Sequence, residues 1–201
     1  MVAEMPDLHY DWQHVDIQSN ATKTEDFLSL NPNGKIPVIQ FNDGRLMCES
    51  NAIIHYLANG SPLVPNDPFL HAKMLQWQFF EQYSHEPQLA VARYIKRYLG
   101  LPIEQIERHS ACIVGNHRVL NIMEQHLQDR IYFLGNKVTL ADVSLFAYTH
   151  VAPQGGVELE PYPAIQAWIK RISRLPGGIS IPAGVSLIGW LSNTTHRIGH
   201  P

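Results

Sequence analysis

Up to residue 58 the apolar positions come in short runs. Beyond residue 68 they come in long periodic stretches. Tyr10 to Ile17 (YDWQHVDI) is rich in aromatic and β-branched residues and reads as a strand. Thr24 heads a short helix through Phe27 and Leu28, which Asn31-Pro32 stops. Val38-Ile39-Gln40-Phe41 and Arg45-Leu46-Met47-Cys48 read as two strands around Asn42-Asp43-Gly44, where Asp-Gly supplies the positive φ angles of a tight hairpin. Ser50 to Ala58 is a helix ended by Asn59-Gly60. Residues 59–68 (NGSPLVPNDP) carry Pro62, Pro65 and Pro68 and mark a boundary. Four helical patterns follow: Phe69 to Tyr98 with a bend at Pro87, Ile103 to Gln128 with one broad apolar face, Leu140 to His150, and Pro163 to Leu175 with proline in its first turn and Pro176-Gly177-Gly178 after its end. The tail from Ile179 has no period. The pattern predicts an α/β domain over residues 1–61, an all-helical domain over 69–178 and an irregular tail over 179–201.

Composition and charge narrow the functional classes. A formal net charge of −3 leaves no electrostatic footprint for nucleic acid. No apolar run approaches the ~20 residues that a membrane helix needs, and MVAEMPDLHYDW lacks the basic and apolar regions of a secretory signal. Cys48 and Cys112 form no disulfide framework and are expected to be reduced thiols of a cytoplasmic protein. The eleven histidines form no Cys/His cluster and are expected at the surface or in the core, not on a metal.

The chemistry-bearing positions lie around the hairpin. Ser50, just before Ala52-Ile53-Ile54, either caps its own helix or leaves free N–H groups there for an anion such as a carboxylate. Glu49 beside it suits an ammonium, so the pair matches the two charges of an α-amino acid. Gly34-Lys35-Ile36-Pro37 enters a strand through a proline that cannot donate to a ladder. With a cis Ile36–Pro37 bond, the Ile36 main chain is free to pair with an extended peptide. Thr139-Leu140-Ala141-Asp142 has the spacing of a capping box, and Asp142 is expected to be structural.

Together, FLSLNPNGKIPVI (27–39), DGRLMCESNAIIHYLA (43–58), YFLGNKVTLADVSLFAY (132–148) and PYPAIQAWIKRISRLPG (161–177) resemble the cytosolic glutathione S-transferase family of bacterial type over about residues 5–178. The resemblance implies a thioredoxin-like domain followed by a helical one, and a homodimer. It implies that Pro37 is the family's cis-proline and that the Ile36 main chain binds the cysteinyl part of glutathione. It further implies that Glu49 and Ser50 hold the γ-glutamyl amine and carboxylate, and that Lys35 attracts the glycine carboxylate. The partners implied are glutathione as co-substrate and a small electrophile. Ser84, His85, Arg93 and Tyr94 fall on the helix that faces the electrophile in this family, and Cys48 adjoins the glutathione residues.

One departure from the family pattern lies at the front. The family opens with a strand, then a turn carrying a Ser, Tyr or Cys that stabilises the glutathione thiolate, then a helix. The thiolate is the nucleophile, so this turn carries the chemistry. MVAEMPDLHYDWQHVDI reads as the end of that helix, a turn and the second strand, which predicts an N-terminally incomplete domain and leaves the catalytic residue unknown. In-frame coding sequence for a strand, turn and helix upstream of Met1 would support this expectation. The functional expectation is conjugation of the glutathione thiol to electrophiles, with activity in doubt for this chain. The alternative is a non-catalytic binding or protein-interaction module of the same fold.

Overall fold

The structure, a computed structural model, describes residues 10–175. The expected tail over 179–201 and the residues before Tyr10 lie outside the described part. The chain divides into two compact units, one of residues up to Asn59 and one spanning Gly60–Leu175.

In the first unit, a single 3-10 turn at Ala21–Lys23 leads to α1 (Glu25–Leu30). Thr24 caps α1, its hydroxyl accepting from the Phe27 N–H at 3.3 Å. Strands β1 (Val38–Gln40) and β2 (Leu46–Cys48) form an antiparallel pair with Val38 opposite Cys48, Ile39 opposite Met47 and Gln40 opposite Leu46. Their connection is the three residues Asn42-Asp43-Gly44, as the sequence pattern predicts, but Asp43 does not share the positive φ expected of it. The Phe41 carbonyl accepts from Gly44, and the Phe41 N–H donates to the Arg45 carbonyl, both at 2.9 Å. Only Gly44 has a positive φ, 84°, which is the geometry of a turn closed by a left-handed glycine. Helix α2 (Ser50–Leu57) follows directly, and the Phe41 and Tyr56 rings meet edge-on at 5.0 Å, fixing it to the hairpin.

Tyr10–Ile17 is not a strand. Its composition favours extended chain, but a strand exists only through a neighbour that takes up its backbone groups. Among the described residues the sheet has β1 and β2 alone.

In the second unit the predicted helix over 69–98 begins one residue earlier and runs as a continuous rod of unequal turns. Helix α3 (Pro68–Phe80) and helix α4 (Glu86–Arg93) are joined by a π turn at Glu81–His85, and a second π turn closes the rod at Tyr94–Tyr98. The first π turn sits just before Pro87, whose ring crowds the carbonyl four residues back and which lacks an N–H, so the widened turn accommodates it. Helix α5 (Ile106–Leu127), α6 (Leu140–Thr149) and α7 (Pro163–Ile172) complete the unit. Its core holds Met74, Leu89, Leu120, Met123, Leu145, Ile165 and Trp168, all fully buried.

Asp142 is the polar centre of this core. Its carboxylate accepts from the backbone N–H groups of Phe133 (3.0 Å) and Thr139 (2.9 Å), the Thr139 hydroxyl (3.1 Å) and the Trp168 indole (2.9 Å). The capping box is present as the Thr-x-x-Asp spacing predicts. Burial pushes the Asp142 carboxyl up, and these four donors oppose that shift. Helix α7 is capped from a distance: both Glu124 carboxylate oxygens on α5 accept from its first free N–H groups, those of Ala164 at 2.9 Å and Ile165 at 3.0 Å.

Candidate functional site

The strand register gathers the candidate residues of the first unit. Val38 stands opposite Cys48, so Ile36-Pro37 and Glu49-Ser50 emerge from the same end of the hairpin on its two strands. The Ile36–Pro37 peptide is cis. Among the described residues, neither the N–H nor the C=O of Ile36 has a hydrogen-bond partner, and the Ile36 side chain is 49% exposed.

Across from it, Glu49 and not Ser50 occupies the N-cap of α2. Glu49 carries φ 68° and ψ 113°, a backbone conformation costly for a residue with a Cβ. No side chain caps this helix from that position. Its carbonyl accepts from Ile53 at 3.0 Å, while its carboxylate is exposed and makes no ion pair among the described residues. Ser50 is the first helical residue, exposed, and its hydroxyl makes no intramolecular hydrogen bond there. The capping reading of Ser50 therefore does not hold. The exposed hydroxyl lies beside the positive end of the helix dipole, an arrangement suited to a carboxylate.

Lys35, also exposed, makes no ion pair among the described residues. The loop that carries it is held from within. Asn31, 5% exposed, donates through Nδ2 to the Lys35 carbonyl at 2.7 Å and accepts at Oδ1 from the Asn33 N–H at 3.1 Å. Its own carbonyl accepts from Gly34 at 2.8 Å. Lys23 Nζ lies 3.3 Å from the Gly34 carbonyl. Sequence reading treats Asn31 only as a helix stop. The available signal was an asparagine four residues before the lysine of a Gly-Lys-X-Pro turn, within reach of its backbone.

Cys48 is half-buried with its thiol 3.9 Å from the Leu30 carbonyl. Cys112 is buried, and burial pushes its thiol pKa up, which makes it a poor nucleophile.

The helical candidates separate. His85 is fully buried, its Nε2 2.8 Å from the Thr149 hydroxyl, and so is a core residue rather than a substrate contact. Arg93 is also buried; its Nε donates to Gln154 Oε1 at 2.8 Å, and its guanidinium lies over the Tyr98 ring. Ser84 is half-buried and Tyr94 is 45% exposed. No described helix is long and apolar enough to cross a membrane.

Comparison with known proteins places both halves of the chain in one family. Residues 1–59 match the glutathione S-transferase N-terminal domain, and residues 90–176 match the glutathione S-transferase C-terminal domain. A crystal structure of a glutathione S-transferase from Pseudomonas fluorescens is 47% identical, covers 89% of each chain and superposes with a TM-score of 0.87. A glutathione transferase from Burkholderia graminis, solved with two glutathione molecules per subunit, is 27% identical with a TM-score of 0.76 over 87% of this chain and 78% of that one. A glutathione S-transferase-like protein of a Fusarium species is 33% identical over 162 residues, 74% of this chain and 70% of the relative. Elongation factor 1-gamma-B of Xenopus laevis is 32% identical over 132 residues, which is 61% of this chain and 28% of the elongation factor.

Proposed function

The chain belongs to the glutathione S-transferase family, and we propose that it binds glutathione at the hairpin end where Ile36, Glu49 and Ser50 converge. Its N-terminal domain is of the thioredoxin-like type and its C-terminal domain is helical. The observation that carries the binding reading is the set of polar groups without partners among the described residues: the Ile36 amide and carbonyl, the Glu49 carboxylate, and the Ser50 hydroxyl in the first turn of α2. These complement the cysteinyl main chain, the γ-glutamyl ammonium and the γ-glutamyl carboxylate, in that order. Lys35 supplies a cation for the glycine carboxylate.

The proposed reaction is conjugation. The bound thiol loses its proton, the sulfur attacks an electrophilic carbon and a new C–S bond forms, with any leaving group departing with its electron pair. The thiol activator is assigned to no residue of this chain. We further assign the protein to the cytoplasm and to a homodimeric state. The similarity to elongation factor 1-gamma-B, whose name is not that of a transferase, keeps a second reading beside the first, a binding module without turnover.

Retention on immobilised glutathione tests the site. The chain is expected to be retained and eluted by free glutathione. Ser50→Ala is expected to weaken binding about ten- to a hundredfold, the scale of a lost hydrogen bond to a charged group. A chain that is not retained at all overturns the binding reading. Turnover of a model electrophile then separates the transferase from the module.

A further inference from the structure

We propose that Asn31 is a positioning residue for glutathione, acting through the Lys35–Ile36 peptide; this rests on the glutathione reading of the site. Ile36 has no side-chain means of binding a peptide backbone, so what it offers depends on how its peptide planes are turned. The Lys35–Ile36 peptide is trans, since the cis bond in this region is the next one, Ile36–Pro37. In a trans peptide the C=O and N–H point in opposite directions. Asn31 Nδ2 holds the Lys35 carbonyl inward at 2.7 Å, and so turns the Ile36 N–H to the opposite side, where it has no partner among the described residues.

Asn31 is suited to this because it is itself immobilised. Its N–H donates to the Phe27 carbonyl at 2.9 Å and ends α1, its carbonyl accepts from Gly34, and its Oδ1 accepts from Asn33. With the Nδ2 bond these are four hydrogen bonds from one side chain and its backbone, nearly all of it buried. Since Oδ1 is occupied as an acceptor, the amide orientation is fixed and Nδ2 must face the Lys35 carbonyl. The side chain itself touches no ligand group; it aims one. Such second-layer support sets whether a site's hydrogen bonds are preorganised.

The experiment is calorimetric titration of glutathione into the full chain carrying Asn31→Ala or Asn31→Asp, beside wild type and Ser50→Ala, with thermal unfolding of each. Asn31→Ala is expected to weaken glutathione at least about tenfold while the protein stays folded at the titration temperature. Asn31→Asp keeps the acceptor for Asn33 but sets a carboxylate against the Lys35 carbonyl at neutral pH. When protonated, its O–H can donate to that carbonyl again. Burial and the facing carbonyl raise this carboxyl above the ordinary ~3.9, so its affinity, relative to wild type at the same pH, is expected to begin to recover as pH falls from 8 to about 5, whereas that of Asn31→Ala is not. Wild type binding with both Asn31 variants equally tight overturns the positioning role and leaves the glutathione site standing. A loss in Asn31→Asp that tracks only its unfolded fraction, without recovery at low pH, overturns it as well. Failure of wild type to bind overturns the glutathione reading, and this inference with it.

Discussion

A Cβ at residue 34 would lie 2.8 Å from Lys23 Nζ, 3.0 Å from the Thr22 carbonyl oxygen and 3.2 Å from a Leu28 methyl. Lys23 can swing away, but the Thr22 backbone cannot, and φ at Gly34 is +61°, where a side chain is strained in any space. Gly34→Ala is therefore expected to cost about 1–3 kcal/mol, from steric and backbone strain together, read as a lower denaturant midpoint with an unchanged slope. An unchanged midpoint would show that the loop relaxes freely. Glu49 is the opposite case, a residue kept at an unfavourable φ of 68° although glycine would adopt it easily. Glu49→Gly is expected to raise stability, by about 1 kcal/mol where strain relief outweighs the extra freedom of the unfolded chain, and to weaken glutathione binding by removing the carboxylate. The two changes have opposite signs. A variant that is both less stable and equally tight would mean that the strain serves the fold rather than the ligand.

At the scale of the element, the rod formed by α3 and α4 carries a titration signature. Thr149 already donates its hydroxyl proton to the Leu145 carbonyl at 2.6 Å, so His85 must donate to Thr149 from Nε2. Its Nδ1 is then an unprotonated, buried atom without a partner. Protonation would place an uncompensated charge there, and burial pushes His85 down to about 3. Burial also lowers His126 and His150. A folded pKa below the unfolded value near 6.5 means that the unfolded chain takes up the proton first as pH falls. The stabilisation from neutral His85 is thus complete above pH 6.5 and lost progressively down to about pH 3, at up to about 1.4 kcal/mol per pH unit for one histidine. His85→Gln is expected to flatten the fall of the melting temperature between pH 6.5 and 4, though not to abolish it. An equally steep fall in the variant would assign the acid sensitivity elsewhere.

Elements also show why the sequence was legible in some places and not in others. The α6 start was readable because Thr139 and Asp142 are three residues apart and satisfy each other locally. The hairpin and its three-residue loop were readable from Asn42-Asp43-Gly44, although only Gly44 takes the positive φ expected of Asp-Gly. Tyr10–Ile17 misled because strand formation depends on a partner that propensity does not report. The Glu124 cap on α7 lies about forty positions from the N–H groups it serves, and the Asn31 bond that turns the Lys35 peptide leaves no pattern of hydrophobicity. The buried state of His85 was hidden for a related reason: only the packed helices show which face of a long apolar-periodic rod turns inward.

For the whole molecule, the proposed homodimer is the property most open to direct measurement. Phe79 and Tyr83 are 67% and 88% exposed and stand four residues apart, so they project from one side of the rod, with Phe69 also exposed ten residues earlier. Single exposed apolar residues are ordinary, but two adjacent aromatics on one helical face are the pattern of a surface that is covered in an assembly. Sedimentation velocity of wild type is expected to give the mass of two chains at micromolar concentration. Phe79→Asp is expected to shift the distribution toward one chain, because burying a carboxylate against apolar surface carries a desolvation cost of several kcal/mol. The circular dichroism of the folded protein is expected to persist, since this side chain contributes little to the core. The glutathione contacts proposed here lie at the hairpin end of the first unit, so a monomeric Phe79→Asp variant that still binds glutathione would separate assembly from ligand binding. Wild type sedimenting as a single chain across the concentration range would overturn the dimer, and would leave the exposed aromatics of the rod without that role.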